Sequence, residues 1–366
     1  MPANADHTAA TGKETSIRPI NWLVTVAVFF AGSVLLWADR SNFSVAAAAW
    51  AKDLNWAPST IGLMLSAFSL GYLVIQPIGG WIADRAGPRR TLAGSMAGWS
   101  LWVLLTPLTP TVLWLTATFR VLLGAFEAPY VPASVAAVAE EANERAAQAP
   151  IPNRLLVTSP ALWPFYIGYF ALPYCQYIFL TWLPQYLTHY RHIPLLTASA
   201  LSALPFVVAF ISANFAGWAM DWMAESGWTA GGFHRKFFVA LGAAIYAVTT
   251  LIAATTESNT LAVTLIVIAN AGLAFYVVPY WTICTDVAPN QTGTLGGVMN
   301  FFGIVGATVS PYLSGVIAEA TGAFVAPLLL AVAIMLVAAT TMILLFRIKP
   351  LTSLVAEAPG AAKFAA

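Results

Sequence analysis

The chain has 366 residues, of which 59% are hydrophobic and 8% are charged, and its formal net charge is +1. A soluble domain carries about a quarter charged residues, so this composition excludes an ordinary soluble protein. It favours a helical membrane protein embedded in lipid, in which each span needs roughly 20 apolar residues. No basic tract predicts nucleic-acid binding, and Cys175 and Cys284 lie in apolar runs that predict neither a disulfide framework nor a metal site.

The hydropathy pattern predicts an all-α bundle of ten transmembrane helices. The first span is long, because its apolar character resumes after a polar patch at Asp39-Arg40-Ser41-Asn42, and we interpret it as one helix. The predicted spans cover residues 20–48, 58–82, 91–107, 111–138, 162–188, 196–220, 236–255, 259–284, 293–319 and 323–346.

Lysine and arginine are distributed unequally between the two ends of these spans. With the amino terminus in the cytoplasm, twelve of the sixteen lie on the cytoplasmic side, as the positive-inside rule requires. We therefore expect a multi-pass protein of the cell membrane, in a bacterium the inner membrane, with both termini cytoplasmic. The predicted segments are a tail (1–19), a four-helix half-bundle (20–139), a cytoplasmic linker (140–161), a six-helix half-bundle (162–346) and a second tail (347–366).

A short motif occurs twice, once in each predicted half. Gly80-Trp81-Ile82-Ala83-Asp84 ends the second span, and Gly217-Trp218-Ala219-Met220-Asp221 ends the sixth. Both copies precede a basic cytoplasmic loop in the same orientation, which is typical of parallel repeats in secondary transporters. The alternative is coincidence, since tryptophan favours membrane interfaces in any case.

Four ionisable residues, Asp39, Arg40, Arg120 and Glu127, interrupt apolar stretches. Such groups are costly in a membrane, and they pair with one another or handle charged ligands. Arg120 and Glu127 are seven residues apart, on one helical face and about 10 Å apart along the axis. Asp39 and Arg120 lie at similar depths, which favours an Asp39–Arg120 charge pair, whereas Arg40 points about 100° away from Asp39. The alternative is a set of ion pairs that only fixes helix order.

The charges of these four residues sum to zero when both acids are ionised. A bound carboxylate would leave one negative charge uncompensated, and protonation of Asp39 or Glu127 would restore neutrality. Substrate and proton binding would therefore favour each other, which is the coupling that symport requires. We assign the grip on the substrate to Arg40, because a guanidinium binds a carboxylate through two parallel hydrogen bonds.

The segment Gly80–Arg90 resembles the loop signature between the second and third helices of the major facilitator superfamily. More narrowly, the chain resembles the anion:cation symporter family, which includes bacterial hexuronate and galactonate transporters. The supporting motifs are Asp39-Arg40, Ser69-Leu70-Gly71-Tyr72 with Gln76, Arg120 with Glu127-Ala128-Pro129, Trp182-Leu183-Pro184, and Gly297-Val298-Met299-Asn300-Phe301 with Pro311.

The resemblance implies further site residues. Tyr72 and Gln76 share the helical face that meets the cavity in the family, and Asn300 matches a substrate-contacting asparagine there. Where the family commonly repeats that asparagine, this chain has Ile304, which weakens the correspondence. Further cavity candidates are Tyr174, Gln176 and Tyr177, and the residues assigned to a gating loop are Gly80, Asp84, Arg85, Gly87 and Arg89.

The chain departs from the family in its number of helices. Family members normally have twelve, whereas here the fourth span leads through residues 140–145 almost directly into a segment that resembles the seventh helix. The fifth and sixth helices are therefore expected to be missing. Removing two consecutive spans keeps the orientation of everything downstream, but it would open one wall of the cavity.

These features predict a secondary transporter, a proton-coupled symporter of a small organic anion such as a sugar acid, which works by alternating access. The alternative is a truncated, non-transporting remnant or a substrate-sensing membrane protein. An enzyme is not expected, because the sequence has no nucleophile–base motif, no histidine-rich metal set and no nucleotide-binding loop. No cofactor or metal is expected.

Overall fold

The computed structural model describes residues 19–109, 111–131, 133–134, 153–288 and 292–349, and the regular structure within these ranges is helical. Ten long helices follow one another within these ranges, which confirms the all-α architecture. Their bounds are α1 Pro19–Asp53, α2 Pro58–Ala86, α3 Pro88–Leu105, α4 Leu113–Glu127, α5 Trp163–Gln185, α6 Leu195–Glu225, α7 Phe233–Thr255, α8 Asn259–Val287, α9 Thr292–Thr321 and α10 Val325–Leu345.

Six segments among the described residues are long and apolar enough to cross a membrane by length and composition alone. They lie in α2 and in the five helices from α6 to α10. The first helix, α1, is continuous over 35 residues despite its polar patch, as predicted. At 1.5 Å per residue it is about 52 Å long, which exceeds the roughly 30 Å of a hydrocarbon core.

The fourth predicted span is interrupted near its middle. The α-helix ends at Glu127, a turn at Ala128–Pro129 follows, and helical residues resume at Tyr130, whereas the predicted end at residue 138 lies outside the described residues. The physical reason is Pro129, which has no backbone N–H to donate and whose ring collides with the preceding turn of a helix. The turn leaves Glu127 at the end of a helix inside the protein.

The core is centred on α5, in which 18 of 23 residues are buried. This helix packs against α9 and α10 of its own half and against α1 of the first half. The two halves also meet where α2 packs along α9. There the backbone N–H of Ser59 donates to Glu319 at 3.0 Å, and the N–H of Tyr312 donates to Ser66 at 3.0 Å.

Two glycines bring α2 and α4 into backbone contact. A Cβ atom at Gly71 would overlap the carbonyl oxygen of Val121, and one at Gly124 would overlap the carbonyl oxygen of Phe68. Small residues allow such close approach between membrane helices. The contact holds Arg120 and Glu127 of α4 against the middle of α2.

The sixth helix is much less covered than the other apolar spans. Only 11% of its apolar window is buried, compared with 39% to 56% for the other five. Large apolar side chains, including Leu196, Phe210 and Trp218, are exposed on it. The second copy of the repeated motif, Gly217–Asp221, lies near the end of α6, just as the first copy lies near the end of α2. In the part of the bundle that the structure describes, α6 therefore lacks neighbours on most of its surface.

Candidate functional site

The centre of the bundle holds a buried ion pair between α1 and α4. Both Nε and Nη2 of Arg40 approach the same oxygen of Glu127, Oε1, at 2.7 and 2.6 Å. Arg40 is 9% exposed and Glu127 is fully buried. The second carboxylate oxygen of Glu127, Oε2, is buried without a hydrogen-bond partner among the described residues. Half of this carboxylate's hydrogen-bonding capacity is therefore unused.

Aromatic groups also contact Arg40. Its Nη1 donates to the hydroxyl of Tyr177 at 3.2 Å, and Tyr177 belongs to α5 of the other half. Its guanidinium carbon lies 5.0 Å from the ring centre of Tyr72 and 5.3 Å from that of Phe68. These are cation–π distances, and they hold the charge in a dry environment. The contact with Tyr177 means that both halves hold Arg40.

Arg120 lies in the same region but is held differently. Its guanidinium carbon is 4.0 Å from the ring centre of Phe43 and 5.1 Å from that of Phe68. The side chain is 3% exposed, and its Nε has no hydrogen-bond partner in the described part of the chain. No described carboxylate lies within ion-pair distance of it. A buried cation on aromatic faces, without an acid of its own, is suited to binding an anion.

The pairing within the site differs from the one that the sequence favoured. Depth along the helices favoured an Asp39–Arg120 charge pair, whereas the structure pairs Arg40 with Glu127. Arg120 turns onto Phe43 instead, and Asp39 is half-buried on the neighbouring face of α1. Helix depth does not fix how a helix is rotated about its axis, and that rotation decided the partners.

The remaining predicted ligand residues lie on α2 and α9. Gln76 is half-buried one turn from Tyr72, and its Oε1 is buried without a partner among the described residues. Asn300 is half-buried on α9, across the interface between the halves. The Gln76 oxygen can therefore accept a hydrogen bond from a polar ligand, and the substrate-binding roles of Gln76 and Asn300 stay predictions.

The predicted gating loop is a tight connection between α2 and α3. Gly87 joins them with φ of 86°, a conformation that residues with a side chain rarely adopt. Its carbonyl accepts from the backbone N–H and the hydroxyl of Thr91 at 3.1 and 3.0 Å, and Arg89 is exposed. The surroundings of Gly80 and the side chains of Asp84 and Arg85 lie outside what the structure describes.

The most informative site residue that the sequence left undecided is Tyr177. It was one of several aromatic candidates on α5, where buried aromatic residues are common. Only the packing of α5 against α1 identifies its hydroxyl as the group that reaches Arg40. Tyr174, another candidate, lies three residues before Tyr177 on the same helix, and its buried hydroxyl has no hydrogen-bond partner among the described residues.

The described part of the chain has ten long helices, six of which are long and apolar enough to cross a membrane, and it buries charges where its two halves meet. These features define a multi-pass membrane protein built like a secondary transporter. The family comparison agrees. The model of the Major Facilitator Superfamily matches residues 29–149 and 140–311, and the chain belongs to this superfamily of transporters. The two matched pieces overlap at residues 140–149, where the sequence places the missing helices.

Several of the similar proteins are named as transporters of sugar acids. The hexuronate transporter of Bacillus subtilis (strain 168) is 26% identical, over 84% of this chain and 91% of its own length. The D-galactonate transporter of Escherichia coli O6:H1 is 25% identical, over 88% of this chain and 95% of its own. These alignments extend over 385 and 413 positions, more than the 366 residues of this chain. Each relative therefore has residues that this chain lacks.

Solved structures share the fold. A bacterial homologue of the human lysosomal transporter Spinster, in an inward-facing and occupied conformation, matches with a TM-score of 0.70 at 14% identity, over 90% of this chain and 97% of that one. The nucleoside transporter NupG, as its D323A mutant, matches with a TM-score of 0.64 at 12% identity, over 84% and 96% of the two chains. At these identities the likeness concerns the fold alone.

Proposed function

We propose that this chain is a proton-coupled symporter of a small organic anion, of the sugar-acid class, and that it works by alternating access. The observation that carries the proposal is the Arg40–Glu127 pair, buried where the two halves meet. The names of the similar proteins support a sugar acid as substrate. We propose further that the termini are cytoplasmic and that the membrane is a bacterial inner membrane.

The ion pair suggests how proton and anion are coupled. A substrate carboxylate competes with Glu127 for Arg40, because both present oxygens to the same guanidinium. When Glu127 takes up a proton, its hold on Arg40 weakens and the substrate carboxylate can replace it. The local charge is zero before and after this exchange. Proton and anion therefore enter together without leaving a buried charge uncompensated, which would cost several kcal/mol.

The other predicted residues have supporting roles in this proposal. Arg120, which has no acid of its own, supplies the positive field that draws an anion inwards. Tyr72, Gln76 and Asn300 offer hydrogen bonds to substrate hydroxyls, and Asp39 is a second site for a proton. Movement of the two halves would then expose the site to either side of the membrane. Gly87 and Arg89, in the loop between α2 and α3, would belong to the gating loop.

The test is uptake of labelled D-galactonate into proteoliposomes, with the outside more acidic than the inside. We expect the parent to accumulate the anion as the external pH falls. Arg40→Ala should lose uptake, and Glu127→Gln should lose the response to pH while still exchanging labelled for unlabelled anion. The exposed residues Arg154→Ala and Glu225→Gln are matched controls that should behave like the parent. Equal uptake in all five proteins would overturn the proposal.

Two observations favour the alternative function, a substrate-binding membrane protein that no longer transports. Only 11% of the apolar window of α6 is buried. The relatives also have residues that this chain lacks. Together these findings support the absence of the fifth and sixth helices. Such a protein would bind D-galactonate without moving it. Genomic DNA at the Ala139–Glu140 junction that encodes two further apolar segments would instead indicate a complete transporter.

A further inference from the structure

A cavity lies away from the ion pair, at the end of the bundle where α1 ends and α2 begins. Its volume is about 830 Å³, within the range of small-molecule sites. It is bordered by the end of α1, the connection to α2, the segment after α5 and the start of α6. Lys52 on its wall is twelve residues from Arg40, about 18 Å along the same helix. The cavity is therefore separate from the central site, although α1 contributes to both.

Gln185 is the polar group that marks this cavity as a binding site. Its side chain lines the cavity, is 7% exposed, and buries Oε1 without a hydrogen-bond partner among the described residues. A buried acceptor that makes no hydrogen bond costs about 1–3 kcal/mol. A ligand hydroxyl that donates to Gln185 would remove this cost.

Positive charge on the wall suits a carboxylate. The exposed ammonium of Lys52 lines the cavity, as do Pro194 and Leu195 at the start of α6. Pro194 provides no side-chain cap, so the first N–H groups of this 31-residue helix lack a side-chain acceptor. Helix amino termini attract anions. Asp53 also lines the cavity, and its carboxylate can accept hydrogen bonds from hydroxyl groups.

The wall between α5 and α6 is rigidly built. A π-helical turn, Tyr186–Tyr190, follows α5. The guanidinium of Arg191 then donates to the Tyr186 hydroxyl at 2.7 Å and to the carbonyls of Thr256 and Ala253 at 2.7 and 2.9 Å. Such π-turns are frequent at functional sites.

The backbone beside the cavity is also unusual. Two described residues other than glycine have positive φ, Asn55 at 51° and His192 at 57°. Asn55 lines the cavity, and His192 precedes Ile193, which also lines it. Such conformations persist where the surroundings enforce them, and they cluster at ligand sites.

We propose that this cavity is a second, outer binding site for a polyhydroxy carboxylate, which holds the anion before it reaches the central site. The carboxylate lies between Lys52 and the start of α6, and ligand hydroxyls bind Gln185 and Asp53. The half-buried Trp56 offers an apolar face to the carbon chain. The class of ligand rests on the proposed function, whereas the cavity and its polar groups do not.

Cysteine protection tests the site without requiring transport. The native Cys175 and Cys284 are fully buried, so Thr188→Cys on the cavity wall gives a single reactive thiol in the purified full-length chain. The matched control is Thr111→Cys, an exposed threonine that does not line the cavity. We expect D-galactonate at twice its Kd to slow maleimide labelling of Thr188→Cys about threefold by mass action. Labelling of Thr111→Cys should not change.

Two further variants separate this inference from the proposed function. Protection should persist when Arg40→Ala/Glu127→Gln removes the central grip without leaving an unpaired buried charge, and it should be lost when Lys52→Gln removes the exposed ammonium. The inference would be overturned by an absence of protection, by a Thr188→Cys thiol that does not react while Thr111→Cys reacts, or by protection that disappears with Arg40→Ala/Glu127→Gln. Equal protection by inorganic phosphate would overturn the assignment to an organic acid. Acid-driven uptake without protection would leave the proposed function standing and this inference wrong.

Discussion

The two halves of this molecule bury different kinds of polar group. In the half that contains α1 to α4, the described core holds three charged side chains, Arg40, Arg120 and Glu127. In the other half, most of the buried polar side chains are neutral, as where the Tyr276 hydroxyl contacts the Gly168 carbonyl and the Tyr280 hydroxyl, both at 3.0 Å. In the proposed function, charge exchange therefore belongs to the first half. The second half contributes a neutral hydroxyl, that of Tyr177.

The largest expected effect comes from breaking the charge pair itself. Arg40→Ala leaves Glu127 buried and unpaired, which should destabilise the fold by about 3–5 kcal/mol. The double variant Arg40→Ala/Glu127→Gln should recover most of that stability, because no buried charge remains unpaired, but it should not recover uptake. Chemical unfolding in detergent measures this difference. An Arg40→Ala variant as stable as the parent would contradict the view that the pair is buried in the core.

A smaller loss of stability should distinguish the tightly packed first half from the exposed surface of α6. Gly124→Ala places a Cβ against the Phe68 carbonyl, and overpacking of this kind costs about 1–3 kcal/mol. Gly217→Ala adds the same methyl group where no atom lies within 4 Å, so it should be neutral or slightly stabilising. Melting temperatures of the two variants give the comparison. Equal destabilisation would mean that something covers α6.

The third prediction concerns the cation that has no acid of its own. Arg120→Lys keeps the charge but loses the planar group that lies on Phe43. We expect the KM for D-galactonate to rise about tenfold, equivalent to roughly 1.4 kcal/mol, with the pH response of uptake retained. Arg154→Lys, at an exposed position, is the control. An unchanged KM would show that Arg120 has a packing role only.

The smallest effect tests the contribution of the second half. Tyr177→Phe removes the hydroxyl that accepts from Arg40 at 3.2 Å. A hydrogen bond of this kind contributes about 1 kcal/mol, so uptake efficiency should fall about fivefold. Tyr312→Phe, which alters an exposed tyrosine, should have no effect. A loss as large as that of Arg40→Ala would mean that the second half does more than hold the arginine.

Much of this architecture was predictable from sequence, because membrane burial leaves strong signals. The ten apolar runs correspond to α1 to α10, and the four intramembrane charges were identified by their cost in lipid. The partner of Arg40 was not predictable, because α2 and α4 meet through Gly71 and Gly124, and the resulting rotation cannot be derived from helix depth. The cavity at the end of α1 was also missed, because loop residues such as Asn55 and Ile193 line it and no periodic sequence pattern marks them.

The central claim is that anion binding at the Arg40–Glu127 pair draws a proton onto Glu127. The most direct measurement adds D-galactonate to purified protein in weakly buffered detergent solution and follows the pH. We predict that the solution becomes more basic as the parent takes up about one proton per bound anion, and that Glu127→Gln binds the anion without this change. Anion binding by the parent with no proton uptake, or equal uptake by the variant, would contradict the account.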